Sequence, residues 1–411
     1  MTMRIVDRGI LFDASVAVPE SRFCTFTTLE RLGSGRLLAG FRTGSAKDSA
    51  DESIRIMASD DDGATWQTVF TGFGDVPPGS GGRLRAVGFT ETDPGQLLGV
   101  FMWMDRSDPK LPLASPETQG ILPSKMLVAE SEDGGQTWGP LREVSLHPHQ
   151  GNALTGNILA LRGGSLALPY EAWKEYHDTS PGEHHAALRL SADGGQTWQG
   201  PEIVAHDDQG RLLFWDQRLA VNPEDGQLIA MFWTHDREAQ EDVAMHVAWG
   251  SPDGRSWSAP VSTGIAGQIC APLWLPGGRV FAAYVHRHHP PSLRAILSHD
   301  AASARAGQSW SAFEELVFYE KERGGQESGM GGKRDFGDYW ADMSIWTFGH
   351  PAPVVLEDPG APEDGDGLVA YYAGDERSMS RHWVRIDVSR ERSGSRWGGR
   401  WWCADGPASL W

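Results

Sequence analysis

The sequence predicts an all-β fold, a six-bladed β-propeller, and two interleaved repeats predict it. The first is a phrase, Ser59-x-Asp61-x-Gly63-x-Thr65-Trp66, repeated as Ser131-x-Asp133-x-Gly135-x-Thr137-Trp138 and as Ser191-x-Asp193-x-Gly195-x-Thr197-Trp198. A shortened copy runs Ser251-Pro252-Asp253-Gly254-Arg255-Ser256-Trp257, and a degenerate fifth falls between Ser298 and Trp310. The second repeat is a Gly followed by an apolar run with an aromatic residue near its end. Self-similarity at a long period marks an architecture of stacked units.

The elements follow in order. Each phrase comes after a strand-like run, such as Ile54-Arg55-Ile56-Met57 or Met126-Leu127-Val128-Ala129. Its Asp accepts local backbone N–H groups, its Gly takes positive φ, and its Trp packs under the turn. The phrases are hairpin staples and carry no chemistry. The Gly-led runs begin at Gly35, Gly95, Gly164, Gly226, Gly278 and Gly367. Each reads as a turn followed by a buried strand, so six units of about 65 residues are expected. Four-stranded units of that size suit a propeller. The first run, Met3-Arg4-Ile5-Val6, and the last, His382-Trp383-Val384-Arg385-Ile386-Asp387, are expected to pair and close the ring. Residues 1–411 are read as one domain.

Composition bounds the partners. With 55 acidic and 36 basic residues the net charge is −19, which disfavours nucleic acid and anionic membranes. Cys24, Cys270 and Cys403 are too few and too scattered for a disulfide framework or a Cys-rich metal site. The start lacks the apolar core of a signal peptide, so a cytoplasmic location is expected, with secretion as the alternative if a leader was removed. No metal or organic cofactor is implied, and Glu363-Asp364-Gly365-Asp366 reads as a solvated turn.

With these repeats, the chain resembles the sialidase (neuraminidase) superfamily with BNR repeats, whose phrases are called Asp boxes. The resemblance implies a site on one face of the ring, where the innermost strands end. There an arginine triad holds a substrate carboxylate bidentately, and an Asp acid/base and a Glu-supported Tyr nucleophile do the chemistry. On this resemblance Arg22, in Ser21-Arg22-Phe23, matches the first triad arginine, and Arg42 a further pocket arginine. Asp48 matches the acid/base, with Asp51 as a rival. Arg294 matches the third arginine. Asp216, in Trp215-Asp216-Gln217-Arg218, stands at the supporting Glu, with a structural Asp216–Arg218 pair as the alternative.

Two positions depart from that pattern. Where the second triad arginine is expected the chain has His235, with Arg237 nearby. The segment before the sixth repeated strand holds no Tyr. Tyr339 is the nearest, and His350 is the alternative pocket group. Glu171, after the third repeated strand, is a candidate substrate contact. The resulting expectation is a sialidase-like glycoside hydrolase that removes a terminal sugar, acidic or not, from a glycan. Asp48, Asp216 and His235 are its expected catalytic residues; Arg22, Arg42, Arg294, Arg237, His350 and Glu171 its expected substrate contacts. A non-catalytic glycan-binding propeller, and a lyase or other glycosidase acting on uronic-acid sugars, are the alternatives.

Overall fold

The computed structural model describes residues 3–181, 184–298, 313–321, 338, 339, 343, 345–358 and 361–388. The degenerate fifth phrase and Cys403 lie outside these residues. Strand β1 (Arg4–Phe12) comes first, and six antiparallel sheets follow from it. Blade 1 is β2 (Thr25–Arg31), β3 (Leu37–Thr43), β4 (Ser53–Ser59) and β5 (Gln67–Phe70). Blade 2 is β6 (Arg83–Asp93), β7 (Gln96–Met104), β8 (Ser124–Ser131) and β9 (Arg142–Val144). In blade 3 the first strand is split into β10 (Gly151–Leu154) and β11 (Leu159–Ala160), both on β12 (Leu166–Trp173), before β13 (His185–Ser191) and β14 (Gln199–Ala205). Blade 4 is β15 (Leu212–Val221), β16 (Leu228–Asp236), β17 (Glu241–Gly250) and β18 (Val261–Ser262). Blade 5 is β19 (Gln268–Leu275), β20 (Arg279–His286), β21 (Ser292–Ser298) and β22 (Phe313–Glu320). Blade 6 is β23 (Phe348–Asp358), β24 (Ala361–Gly374), β25 (Met379–Asp387) and the returning β1.

The first strands line the axis, since β2 packs on β23 and β6, and β19 on β15 and β23. The ring closes as the terminal runs lead one to expect: β1 pairs antiparallel with β25, from Arg4 opposite Asp387 to Phe12 opposite Arg381. This pairing covers what would otherwise be an open sheet edge.

The core is a set of layers between blades. Leu37 and Phe41 meet Leu368 between blades 1 and 6; Ile56 and Phe89 meet between blades 1 and 2; Leu188 and Phe232 meet between blades 3 and 4. Each second strand is therefore covered on both faces, and every residue of β3 and of β16 is buried. That is why the repeated runs are continuously apolar and do not alternate.

The phrases form turns between third and fourth strands. Asp133 Oδ1 accepts from Ser131 Oγ (2.9 Å), Gln136 N (3.0 Å) and Thr137 N (2.8 Å), and its Oδ2 from Thr137 Oγ1 (2.6 Å). Trp138 donates to Gly135 O (3.2 Å) and lies over Gly99 of the second strand, where an added Cβ would fall 2.5 Å from the indole. Third strands run away from the face where second strands end, so these staples sit on the far side of the ring. The acid-rich run is not a solvated turn throughout: Asp366 lies within β24 and pairs with Arg385 at 2.5 Å. Among the described residues, no helix is long and apolar enough to cross a membrane.

Candidate active site

A β-bulge near the start of the inner strand recurs in five blades. It falls between Thr25 and Thr28, Leu84 and Ala86, Trp215 and Arg218, Gln268 and Cys270, and Gly349 and Ala352. One extra residue re-aims the side chains there. Four of the bulge residues take positive φ: Phe26 (53°), Asp216 (49°), Ile269 (35°) and His350 (45°). Such a backbone costs roughly 1–3 kcal/mol per residue and persists where the surroundings over-determine it. All four lie at one level of the ring, beside the bulges.

A cavity opens there. Phe26, Met102, Met104, Trp173, Trp215, Trp233 and Tyr339 form much of its wall, and Arg85, Glu171 and Asp216 are its charged groups among the described residues. The cavity lies where inner strands begin and second strands end, not where the innermost strands end. The inner strand is the first of each blade and leads away from this face, and the second strand returns to it.

Asp216 and Glu171 come from adjacent blades. Glu171, near the end of β12, is 3% exposed. Its Oε1 accepts the backbone N–H of Gln217 (3.1 Å), and its Oε2 lies 3.5 Å from His184 Nε2. Burial pushes the Asp216 carboxyl up to about 7; the charge of Glu171 adds to the rise and that of Arg218 opposes it. Arg218 Nη2 stands 3.5 Å from Asp216 Oδ1 and 3.2 Å from His350 Nδ1, and Nη1 donates to the carbonyl of Thr155. A guanidinium only donates, so His350 Nδ1 is the acceptor. Burial and the cations of Arg218, Lys47, Arg381 and Arg287 hold the His350 imidazole well below its ordinary pKa, and it stays neutral.

A second cluster adjoins the cavity at Arg85. Glu52, 1% exposed, receives Arg85 Nη1 at 2.9 and 2.7 Å and Arg42 Nη1 at 3.2 Å. Asp48 Oδ1 receives Arg85 Nη2 (2.8 Å) and Arg42 Nη2 (3.3 Å). Burial raises the Asp48 pKa, but Arg42, Arg85 and Lys47 outweigh it and leave the carboxyl below its usual value. The ring of Phe26 lies 4.5 Å from the Arg42 guanidinium and 5.8 Å from that of Arg85.

The structure thus places Asp216 and Glu171 on the cavity wall, sets Asp48 and Arg42 behind it in the Arg85 cluster and His350 behind it against Arg218, and leaves four other candidates apart from these groups. Arg22 is exposed just after a 3₁₀ turn, where its carbonyl accepts from Met379 N (2.8 Å). Arg294 sits in the third strand of blade 5 and pairs with Glu315 (3.0 Å), one strand outward from the second strands that end at the cavity. Arg237 is exposed past the end of β16. His235 is one layer back: it stacks on Trp215 with centroids 5.1 Å apart, and its Nδ1 donates to Asp242 Oδ1 at 3.2 Å. The same oxygen accepts the Tyr339 hydroxyl at 2.8 Å. Arg85, Glu52, Asp242 and the tryptophan wall escape a reading by spacing. A repeat alignment carries the signal for Arg85, because Leu84-Arg85-Ala86 stands at the bulge position that Trp215–Arg218 occupies in blade 4.

The comparisons agree with this architecture. A protein of unknown function from Dyadobacter fermentans superposes with a TM-score of 0.67 at 18% identity, over 94% of this chain and 99% of that one. Trypanosoma rangeli sialidase in complex with sialic acid gives 0.58 at 12% identity, over 92% of this chain, which spans 58% of the sialidase. Penicillium chrysogenum α-L-arabinanase complexed with arabinobiose gives 0.58 at 15% identity, over 93% of this chain and 98% of that one. No curated protein matches by sequence. The fold is that of the sialidase/neuraminidase propellers, built of BNR-repeat blades. The family described as BNR repeat-like domain matches residues 111–359, more than half of the sequence, and this chain belongs to that family.

Proposed function

We propose that this chain is a glycoside hydrolase that removes a sugar from the end of a glycan, with Asp216 and Glu171 as its catalytic carboxylates. The observation that carries this reading is their convergence, from neighbouring blades, on one aromatic-walled cavity. Two carboxyl groups in unlike surroundings are what glycosidic cleavage needs: one gives a proton to the leaving oxygen, the other acts on the sugar or on water. Asp216, neutral over much of the range below pH 7, supplies the proton. Glu171, held by the Gln217 N–H, attacks the anomeric carbon or takes a proton from water. Trp173 and Trp215 offer apolar faces for a sugar ring to stack on. The indole N–H of Trp233, a residue of the same wall, is buried and has no hydrogen-bond partner among the described residues.

The two named fold relatives were crystallised with sialic acid and with arabinobiose, so acidic and neutral sugars both belong in the trial panel. The test is hydrolysis of aryl glycosides of neutral pentoses and hexoses, an aryl sialoside and an aryl glucuronide. Turnover of one class by the wild type, lost in Asp216→Asn and Glu171→Gln, supports the reading. Turnover that survives in both variants rejects it. A sugar-binding propeller without turnover is the second reading, favoured by the deep burial of Glu171. Calorimetric binding of a sugar without any product would establish it.

A further inference from the structure

The Arg42–Arg85 cluster has the make-up of a carboxylate receptor whose place is taken from within. All three nitrogens of Arg42 are engaged: Nε with Thr25 Oγ1 (3.0 Å), Nη1 with Glu52, and Nη2 with Asp48 and the carbonyl of Lys47. Both terminal nitrogens of Arg85 are engaged by Glu52 and Asp48. A substrate carboxylate would need those same fork positions, because planar bidentate pairing is how guanidinium groups recognise it. The loop that delivers Asp48 is tied down on several sides. Arg106 Nη2 donates to Asp48 O (3.1 Å), Arg83 Nε to Ala50 O (3.3 Å), and Lys47 Nζ to Trp346 O (2.8 Å). Asp48 is also held ionised by the cations around it, the opposite of what a proton donor requires. Its side chain is 26% exposed, against 1% for Glu52, so Asp48 is the outer of the two internal carboxylates.

We infer that Asp48 is a built-in stand-in for a substrate carboxylate, closing Arg42 and Arg85 so that the cavity takes sugars without an acid group. The inference rests on the reading of the cavity as a sugar-cleaving site, and it narrows the substrate class. The remaining charged groups of the wall act in the same direction. Glu171 repels an acidic ring, and Arg85, the one guanidinium among the described wall residues, is already paired.

The test compares wild type, Asp48→Ala and Asp48→Asn. Binding of N-acetylneuraminic acid and of glucuronic acid is followed by calorimetry, and aryl glycosides of both charge classes are assayed in parallel. Removing Asp48 leaves Glu52 as the one carboxylate of the cluster for two guanidinium groups. The sugar acids are then expected to bind at least about tenfold more tightly to Asp48→Ala than to wild type, the scale of one additional charge-assisted hydrogen bond. Asp48→Asn, which keeps the shape and drops the charge, is expected to shift in the same direction. Wild type is expected to cleave neutral glycosides in preference to the sialoside and the glucuronide. That comparison needs no variant, so it stands even if both substitutions prevent folding. Equal binding of sugar acids by wild type and the variants, or a wild-type preference for acidic glycosides, overturns the inference. Tighter acid binding in the variants without hydrolysis of any glycoside by wild type would uphold the inference and defeat the hydrolase reading.

Discussion

Replacing Asp216 by Asn gives a quantitative test that needs no substrate. In the folded chain burial raises this carboxyl from 3.8 to about 7, with Glu171 adding to the rise. The sign follows from linkage. A folded-state pKa above the unfolded one means that the folded protein holds the proton more tightly. The associated stability is complete below the unfolded value near 3.8 and is lost as pH rises through about 7. A difference of about three pKa units corresponds to roughly 4 kcal/mol in full, of which about 3 kcal/mol falls between about pH 4.5 and about pH 8. Urea denaturation of wild type and Asp216→Asn at those two pH values measures it, because titrations common to both proteins cancel in the difference. Wild type is expected to lose about 3 kcal/mol relative to the variant on going to the higher pH. A gap that does not change with pH would show that Asp216 is an ordinary carboxylate and remove its claim to the proton-donor role.

Four further outcomes are expected. Arg218→Met removes the cation 3.5 Å from Asp216 and is expected to move the alkaline limb of the pH–kcat/KM profile upward by about 1–3 units, the usual effect of a charge at that distance; an unmoved limb would contradict the pairing. Trp173→Ala, which takes away a cavity wall stacked on Trp215 at 6.4 Å between centroids, is expected to weaken sugar binding in calorimetry by about tenfold or more; unaltered affinity would place the ligand elsewhere. Asp133→Ala removes the acceptor of four hydrogen bonds in a staple, with an expected cost of about 2–3 kcal/mol in urea denaturation and no change in kcat; a kcat loss would contradict a purely structural role. Deleting residues 1–12 leaves the outer edge of β25 open and is expected to lower the midpoint of urea unfolding, read by circular dichroism; an unaltered midpoint would contradict closure by β1.

The fold was legible because repetition states it. Six Gly-led runs became the six second strands, and four phrases became staples with the Asp, Gly and Trp roles their chemistry requires. The ring closure was legible from the two apolar runs at the ends of the described chain. The candidate site was only partly legible. Asp216, Glu171, Arg42 and Asp48 sit within a few residues of strand ends, where counting along the chain suffices. Arg294 shows the limit of counting: it lies in the same hairpin as the cavity-side end of β20 but one strand outward, where Glu315 is its partner. The bulges are a deeper obstacle. One extra residue reverses which side chains face the axis, and no periodicity in Leu84-Arg85-Ala86 announces it. Burial of charge was also unreadable, since Glu52 looks like any loop acid until Arg42 and Arg85 are seen around it.

The most direct measurement is a crystal structure of Asp216→Asn with an oligosaccharide it cannot turn over. We expect a terminal ring against Trp173 and Trp215, its glycosidic oxygen within hydrogen-bonding reach of residue 216, and Glu171 beside the anomeric carbon. A sugar seated on the Asp-box face, or a cavity that stays closed to every sugar bound in solution, would contradict the account.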